Sequence, residues 1–534
     1  MPSFVTVVAR PLGFGPGRHR SAAFTCAALS GALLVLSFPS LGHPAAAWVA
    51  LTPLLVVLHG TRSPGLAFGL GLTTGAVHFA GTLPWLTQVM TEFGGVPLSV
   101  GVLLNGLLVA YLALFPAAFA VMVVLLCGRL GGWALLGAAP VWLTTELGRM
   151  WLFGGFPWEL LGYSQTSVLP VAQLASLFGV HGVTLLVVFI NSAVALALVG
   201  PSVHRVRVLA VATGVLGVVV LFGAWRLMDN RLVRDGTPLR VGLVQGNIAQ
   251  SDKWDPARRS TILSRYLDLS RQSAADGARL IVWPESATPF SFETDPDGDA
   301  VRQLARDTGA HVLFGSTQRR RDPVSRLFNA AFLLRPDGET AAVYHKMHLV
   351  PFGEYVPFRS VLFFASPLVE AVTDFSPGAS PVMLPIGAHR ISTAICYEII
   401  YPELVRRFVR RGSELLTTIT NDAWYGRSAA PHQHFQQAAM RAIEQGRYLV
   451  RAANTGISGV VDPYGRVLAR SALFETAVIT EEVRLLTGLT FYGRMGDLLA
   501  YLCGVLTVTT VFAAWRVGRR GAGSRPYGMT GPLS

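Results

Sequence analysis

Three ionisable side chains suited to acyl transfer, Glu285, Lys346 and Cys396, each end or follow a short apolar segment. A thiol is a strong nucleophile only as the thiolate, and a carboxylate within hydrogen-bond reach can accept its proton. An adjacent ammonium would stabilise both the thiolate and a tetrahedral oxyanion. Together the three residues predict acyl transfer through a covalent cysteine intermediate, with no metal and no organic cofactor.

Each of these residues alone has an ordinary structural interpretation. Cys396 could be a small buried apolar residue, and Glu285 or Lys346 could belong to a salt bridge. The chain has only two lysines, Lys253 and Lys346, and uses arginine for nearly every other cation. A retained lysine indicates a task that a guanidinium cannot perform, and we assign that task to Lys346. Lys253 is expected to tolerate arginine.

The composition is typical of a membrane protein with a polar insert. Hydrophobic residues make up 51% of the chain and charged residues 14%, with a mean hydropathy of +0.46, whereas soluble proteins are about a quarter charged. The net charge of +13 does not indicate nucleic acid, because residues 231–497 hold 31 Lys and Arg against 27 Asp and Glu. Three of the four cysteines lie in apolar runs, so Cys396 is the one thiol of the insert.

Hydropathy predicts a membrane domain over residues 1–230, an eighth span at 498–515 and a basic tail at 516–534. Loops with arginine alternate with loops nearly free of basic residues, which sets the orientation. Both termini are therefore predicted to be cytoplasmic, and the insert at 231–497 extracytoplasmic. The seven spans predicted in the membrane domain lie near 22–38, 44–59, 66–90, 98–127, 132–150, 168–199 and 207–226.

Short apolar segments alternate with polar helical patterns in the insert, which predicts an α/β domain. Pro336–Gly338 and Asp462–Gly465 are predicted hairpin turns. The predicted strands are Leu239–Val244, Arg279–Trp283, His311–Gly315, Ala330–Leu334, Arg390–Cys396, Leu415–Thr420, Leu449–Ala452 and Val478–Thr480.

The motifs around the three residues resemble the nitrilase superfamily of carbon–nitrogen hydrolases, whose triad is Glu, Lys and Cys in that order. Nearly the whole chain resembles the bacterial apolipoprotein N-acyltransferase family. The matching segments are Val244–Asn247, Lys253–Pro256, His348–Glu354, Ala394–Ile400, Asn421–Trp424 and Asn454–Ser458.

The resemblance implies an α-β-β-α sandwich domain attached to a multi-span helical domain in the bacterial inner membrane. Cys396 would take an acyl chain from a phospholipid, typically phosphatidylethanolamine, as a thioester. The free α-amine of a diacylglyceryl-cysteine at an apolipoprotein N-terminus would then attack the thioester. In this scheme Glu285 is the base, Lys346 the oxyanion donor, and Glu354 and Glu398 supporting carboxylates. The expected protein is a monomer in the lipid bilayer, without a nucleic-acid partner.

Aromatic residues near the motifs are candidates for lipid contact. The apolar stretch Phe358–Val369 follows the Glu354 motif, and it either forms a lid that dips into lipid or packs into the domain core. Glu354 and Glu398 have their own alternative as structural ion pairs with arginine. The candidate substrate-binding residues are Trp254, Tyr397, Trp424, Phe363 and Phe364.

Two features of the membrane domain have polar or aromatic side chains near its predicted outer surface. Glu146 and Arg149 lie three residues apart and could pair on one helix face. Trp158, in the following loop, is interpreted as an anchor at the membrane interface, with binding of a lipid headgroup as the alternative.

Three other functions are compatible with parts of this pattern. A membrane-tethered nitrilase or amidase would let water attack the thioester. A transporter or scaffold could carry an inactive domain of the same fold, although the complete triad and the few charges within the spans argue against transport. An acyltransferase could also act on a different amine of the cell envelope.

Overall fold

The computed structural model describes residues 16–39, 42–321, 325–355 and 375–522. Its N-terminal part is entirely helical within those ranges. The helices, apart from short 3₁₀ turns, are α1 (Pro16–Val35), α2 (Thr52–Gly60), α3 (Pro64–Thr82), α4 (Trp85–Glu92), α5 (Leu98–Leu130), α6 (Ala138–Trp151), α7 (Leu169–Ala172), α8 (Ala175–Val199) and α9 (Ser202–Asp229).

Four helices of the described chain are long and apolar enough to cross a membrane: Leu98–Leu130, Ala175–Val199, Ser202–Val233 and Leu498–Arg516. α3 and α4 would form a fifth span if taken together, with a bend of 52° between them. The bend falls at Pro84, which has no N–H to continue the helical hydrogen bonding. Every predicted span coincides with helix, but the count of seven in the membrane domain stays a prediction.

The polar insert contains two six-stranded sheets. In the first sheet the strand order is β12-β1-β2-β3-β4-β5, and in the second it is β11-β10-β9-β8-β7-β6. The strands are β1 (Thr237–Gln245), β2 (Leu280–Val282), β3 (His311–Arg321), β4 (Ser325–Leu334), β5 (Thr340–His345), β6 (Leu384–Ile386), β7 (His389–Ile395), β8 (Leu416–Thr420), β9 (Leu449–Ala453), β10 (Gly459–Val461), β11 (Val467–Arg470) and β12 (Ala477–Leu485).

Parallel strands connected by helices form the centre of each sheet. β1, β2 and β3 are parallel, as are β7, β8 and β9. Helices join these strands in order, so that the carboxyl ends of each parallel set meet at one edge, where α/β folds bind ligands. The connecting helices are α10 (Arg259–Ala275), α11 (Gly298–Thr308), α12 (Pro402–Arg410) and α13 (Ala430–Gln445).

The two sheets pack face to face over an apolar core. Val241 and Leu313 of the first sheet share this core with Ile395 and Val450 of the second. Apolar residues of α10 and α11 cover the outer face of the first sheet, and those of α12 and α13 cover the outer face of the second. The predicted α-β-β-α sandwich is therefore confirmed.

Helix α13 is packed between the second sheet and the membrane helices. Its Phe435 and Ala438 share a core with Phe79 of α3 and Val109 of α5. A final short helix, α14 (Phe491–Met495), leads to the long helix α15 (Leu498–Ala522). Helix α13 is thus buried on both sides.

Buried hydrogen bonds reinforce this junction. Trp158 Nε1 donates to Gln433 Oε1 at 2.8 Å, and Trp158 is only 1% exposed. The backbone N–H of Val180 in α8 donates to Glu444 Oε1 at 2.8 Å. The interpretation of Trp158 as an interfacial anchor was wrong, because its indole fills the contact between the two parts of the molecule.

Glu146 and Arg149 bind different partners. Glu146 accepts hydrogen bonds from the Trp142 indole, the Leu161 N–H and the Thr184 hydroxyl. Arg149 donates to the carbonyls of Trp158 and Glu159, at 2.6 and 3.2 Å. Both side chains therefore fix the loop after α6, and they do not form the ion pair that their spacing suggested.

Candidate active site

Loops at the strand ends bring the three predicted catalytic residues together. Lys346 directly follows β5, Cys396 directly follows β7 and opens a 3₁₀ helix, and Glu285 lies just after β2. The exposed fractions are 6% for Glu285, 1% for Lys346 and 7% for Cys396. The site is therefore closed off from bulk water. Charge–charge interactions in such a buried site are stronger than at a surface.

Lys346 lies between two carboxylates. Its Nζ is 3.3 Å from Glu285 Oε1 and 2.9 Å from Glu354 Oε2. The Asn329 amide donates at 2.7 Å to both carboxylates, and the Asn421 N–H donates to Glu285 Oε2 at 3.0 Å. Glu285 is thus held in one orientation by three separate donors.

These contacts determine the resting charge of each group. Burial alone would raise the pKa of Glu285, but Lys346 and the Asn329 hydrogen bond lower it. Burial opposes the charge on Lys346 as well, yet Glu285 and Glu354 raise its pKa. Burial and the nearby Glu285 carboxylate raise the pKa of Cys396. The resting site therefore contains a carboxylate, an ammonium and a neutral thiol, which is the starting state for base-assisted attack.

Cys396 has a left-handed backbone conformation, with φ of 54°. For a residue other than glycine this costs about 1–3 kcal/mol and must be imposed by the surroundings. Glu398 Oε2 accepts a hydrogen bond from the Ile395 N–H at 2.8 Å. Its Oε1 accepts from Tyr344 Oη and the Met347 N–H, both at 2.7 Å. Glu398 thereby ties the segment after β5 to the nucleophile turn.

Both supporting carboxylates contact the triad segments. Glu354 contacts Lys346 and Asn329, and it accepts the Val350 N–H at 2.8 Å. Across the described ranges, neither Glu354 nor Glu398 forms an ion pair with an arginine. The alternative of structural Arg pairs is not supported for either residue.

Lys253 is the main residue that the sequence analysis misjudged. It is 3% exposed, and its Nζ donates to the backbone carbonyl of Glu285 at 3.2 Å. Burial lowers the pKa of Lys253 to about 8, against the opposing effects of Glu285 and Cys396. The expectation that it tolerates arginine does not fit this position, because a larger guanidinium would have to enter a filled site. Its place in the Lys253–Pro256 motif was the available signal.

Asparagines that the sequence analysis did not single out complete the site. Asn421 begins a matching motif, and its Nδ2 donates at 2.8 Å to Gln250, in the loop that carries Lys253. Asn329 lies within β4 and belongs to no motif. Gly315 on β3 allows the Glu285 loop to cross closely, since a Cβ there would lie 2.6 Å from Glu285 Cα.

The substrate-binding candidates differ in position. Tyr397 is buried beside Cys396, with its ring 5.3 Å from that of Tyr401. Trp254 is 51% exposed and Trp424 is 39% exposed. The Trp424 ring packs 5.2 Å from that of Phe93, beyond α4. Phe363 and Phe364, with the whole stretch Phe358–Val369 that contains them, lie outside the described residues.

Two family models match this chain. The family model for carbon–nitrogen hydrolases matches residues 240–487, and that for the apolipoprotein N-acyltransferase N-terminal domain matches residues 30–193. Among solved structures, an amidase from Nesterenkonia sp. is similar, with a TM-score of 0.37 and 24% identity over 47% of this chain and 93% of the amidase.

Curated relatives extend the likeness to most of the chain. The apolipoprotein N-acyltransferase of Geobacter metallireducens is 42% identical over 90% of this chain and 93% of its own length. The enzyme of Methylococcus capsulatus is 36% identical over 89% of this chain and 93% of its own length. The enzyme of Vibrio vulnificus is 34% identical over 94% of this chain and 99% of its own length.

The fold, the site and the family models together define a membrane enzyme with a nitrilase-type domain. The chain belongs to the apolipoprotein N-acyltransferase family. It is an acyltransferase of the inner membrane.

Proposed function

We propose that this enzyme transfers an acyl chain from a membrane phospholipid, through a Cys396 thioester, to the α-amine of an N-terminal diacylglyceryl-cysteine. The observation that carries the proposal is the buried cluster of Glu285, Lys346 and Glu354 beside a neutral thiol. The relatives' names supply the acceptor class, since the relatives from Geobacter metallireducens, Methylococcus capsulatus and Vibrio vulnificus are each called apolipoprotein N-acyltransferase.

In the first step, Glu285 accepts the thiol proton while the Cys396 sulfur attacks the ester carbonyl of the phospholipid. The resulting oxyanion is stabilised by the Lys346 ammonium, a fixed donor that needs little reorganisation. The bond between the carbonyl carbon and the glycerol oxygen then breaks, and Glu285 returns the proton to that oxygen. A lysophospholipid leaves, and the acyl chain stays on sulfur.

In the second step, the neutral α-amine of the apolipoprotein attacks the thioester carbonyl. Glu285 accepts the proton that the nitrogen loses, Lys346 again stabilises the oxyanion, and the carbon–sulfur bond breaks. The Cys396 thiolate regains its proton from Glu285. The enzyme ends in its starting state, and no redox or metal step is required by this balance.

The surrounding residues have proposed supporting roles. Glu354 holds Lys346 in place, and Glu398 fixes the Cys396 turn. Tyr397, Trp254 and Trp424 are proposed to contact the acyl chain or the acceptor lipid, as are Phe363 and Phe364. The donor is proposed to be phosphatidylethanolamine, the enzyme a monomer, and the catalytic domain extracytoplasmic.

Mass spectrometry of the purified enzyme tests the covalent intermediate directly. Incubation with a phospholipid should add one acyl mass to the peptide that contains Cys396, and neutral hydroxylamine should remove it. Cys396→Ala should lack the adduct, and a variant with Cys26, Cys127 and Cys503 replaced by alanine should keep it. An adduct that persists in Cys396→Ala would refute the assignment.

The loss of the acyl chain from isolated acyl-enzyme distinguishes an acyltransferase from a hydrolase. A diacylglyceryl-cysteine peptide should discharge it and gain one acyl chain on nitrogen. Release of free fatty acid at the same rate with and without the peptide would instead identify a hydrolase.

A further inference from the structure

The side chain of His434 contacts the backbone of the nucleophile. His434 lies in α13 and is fully buried, and its Nε2 is 3.2 Å from the carbonyl oxygen of Cys396. That carbonyl belongs to the residue with the unfavourable φ of 54°. A hydrogen bond at this point therefore acts on the conformation that directs the Cys396 sulfur.

The neighbours of His434 determine which ring nitrogen carries the hydrogen. A carbonyl oxygen only accepts, so Nε2 must be the donor. Nδ1 is 3.0 Å from Arg451 Nη2, which is always a donor, and 3.2 Å from Asp422 Oδ1. A neutral ring with hydrogen on Nε2 donates to the Cys396 carbonyl and accepts from Arg451 at Nδ1. Arg451 Nη2 also donates to Asp422 Oδ2, so Nδ1 and the Asp422 carboxylate are two acceptors that share one donor nitrogen. Burial and Arg451 lower the pKa of His434, in agreement with a neutral ring.

The groups behind His434 are held firmly. Arg451 Nη2 donates to Asp422 Oδ2 at 2.8 Å, and the Thr420 hydroxyl donates to Asp422 Oδ1 at the same distance. Gly456 leaves room for this pair, because a Cβ there would lie 2.6 Å from Asp422 Cβ. Asp422 therefore fixes Arg451 in its buried position, and the Arg451 donor sets the tautomer of His434.

The opposite face of the ring contacts the membrane domain. The centroid of the Trp158 ring lies 5.7 Å from that of His434. The adjacent Gln433 donates to the carbonyls of Pro39 and Thr82, at 3.1 and 3.2 Å. The position of the imidazole is consequently fixed from two sides.

We propose that His434 is a positioning residue for Cys396. The His434 Nε2–H holds the backbone carbonyl of Cys396 and so directs the thiol toward Glu285 and Lys346. The inference rests on the proposed role of Cys396 as the nucleophile. His434 does not touch the substrate or exchange a proton with it. Its loss should slow every reaction of the Cys396 sulfur, including reactions that use no lipid.

Two substitutions separate positioning from simple packing. Glutamine places an N–H near the position of histidine Nε2, whereas asparagine is too short to reach the Cys396 carbonyl. Both are made in the full-length enzyme with Cys26, Cys127 and Cys503 replaced by alanine. Gln437→Ala is the matched control, since Gln437 is equally buried one turn along the same helix.

Three quantities are measured: the rate of Cys396 alkylation by iodoacetamide without lipid, the rate of acyl-enzyme formation from phospholipid, and the thermal midpoint. His434→Asn should slow both rates by about tenfold, while His434→Gln and Gln437→Ala should stay within about threefold of the parent. Equal slowing by asparagine and glutamine, or equal slowing by Gln437→Ala, would overturn the proposal.

The lipid-free reaction keeps this proposal distinct from the proposed function. If alkylation follows the expected order but the parent forms no acyl-enzyme, the transfer function fails and positioning stands. If His434→Asn forms acyl-enzyme at the parent rate, positioning fails. Should His434→Asn not fold, ¹⁵N spectra of histidine-labelled parent, assigned by difference from His434→Gln, decide the matter. Hydrogen on Nε2 supports the proposal, and hydrogen on Nδ1 rejects it.

Discussion

Individual charges set the chemistry of this site, and the ammonium of Lys346 is central among them. It lies 3.3 Å from Glu285 and 2.9 Å from Glu354, with 1% of the residue exposed. A compact ammonium can approach two carboxylates and still have a hydrogen for an oxyanion. A planar guanidinium is wider and directs its donors in a fixed fork.

We therefore expect Lys346→Arg to lose most activity although it keeps the charge. Acyl-enzyme formation should fall by about 100-fold or more, as when an oxyanion donor is removed. Lys346→Met serves as the reference without charge, and the two variants should be similarly impaired. A rate for Lys346→Arg within about threefold of the parent would show that charge alone suffices.

The buried position of Lys253 predicts a pH effect. Burial lowers the pKa of this ammonium to about 8, although the nearby Glu285 and Cys396 act in the opposite direction. Below that pH the ammonium is charged and favours the thiolate and oxyanion, and above it the charge is lost. Acyl-enzyme formation should therefore decline as the pH rises through about 8.

Lys253→Met tests this assignment. Below pH 8 the variant should be about tenfold slower than the parent, and its profile should lack the alkaline decline. Rates of acyl-enzyme formation across pH 6 to 10 provide the measurement. If the rate for Lys253→Met still declined at the same pH as the rate for the parent, the titrating group would be another residue.

At the level of elements, apolar patterning predicted most of the sandwich. All eight predicted strands coincide with strands of the structure, because their residues are largely buried. The two predicted turns connect β4 to β5 and β10 to β11. The missed strands are short or half-exposed. β6 and β10 have three residues each, β5 is half-buried apart from Tyr344, and β11 is largely exposed. Their pairing comes from neighbours, not from a local pattern.

The three candidate catalytic residues could be selected from sequence because each ends or follows a short apolar segment, and the structure brings Glu285 and Lys346 into contact. Their partners were harder to find, since they are distant along the chain. Asn329 lies 44 residues from Glu285, and Asn421 lies 136 residues from it. His434 lies 38 residues from Cys396. Such contacts depend on how β4, β8 and α13 pack together, which local spacing does not specify.

One element-level prediction concerns Phe358–Val369, which remains an expectation from sequence. If this stretch lines a lipid entrance, each phenylalanine could contribute about 1.5–3 kcal/mol to holding an acyl chain. Phe363→Ser with Phe364→Ser should then slow thioester formation from phospholipid bilayers. The same double variant should react normally with a short, water-soluble ester, which needs no entrance.

A thermal melt distinguishes the alternative that these side chains belong to the core. Loss of a core phenylalanine costs about 3–5 kcal/mol, so the double variant would unfold at a much lower temperature. Both donors would then be affected equally. That outcome would reject the lid and favour core packing.

At the scale of the whole molecule, the membrane helices and the catalytic domain form one packed unit. Trp158, Gln433 and Glu444 connect them through buried hydrogen bonds. Apolar residues from α3 and α5 enter the same core as α13. The membrane domain therefore also packs against α13, the helix whose His434 contacts the Cys396 backbone.

The number of spans before residue 231 decides on which side the catalytic domain lies. The three long helices α5, α8 and α9, with the bent pair α3 and α4, give up to four spans. The shorter apolar helices at Arg20–Val35 and Pro44–Gly60, with the span predicted at 132–150, would raise the number to the seven predicted from hydropathy. An odd number places the catalytic domain opposite the N-terminal tail, and an even number places both on the same side.

Single-cysteine probes test the odd number directly. In a variant without its four natural cysteines, we introduce Ser3→Cys, Asp299→Cys or Arg519→Cys and add an impermeant maleimide to intact spheroplasts. Asp299→Cys, on the exposed start of α11, should label at once because the catalytic domain is predicted to lie outside. Ser3→Cys and Arg519→Cys should label only after permeabilisation, since excess arginine retains both tails in the cytoplasm. Immediate labelling of both Ser3→Cys and Asp299→Cys would indicate an even number of spans between them. Immediate labelling of Arg519→Cys alone would show that the catalytic domain faces the cytoplasm.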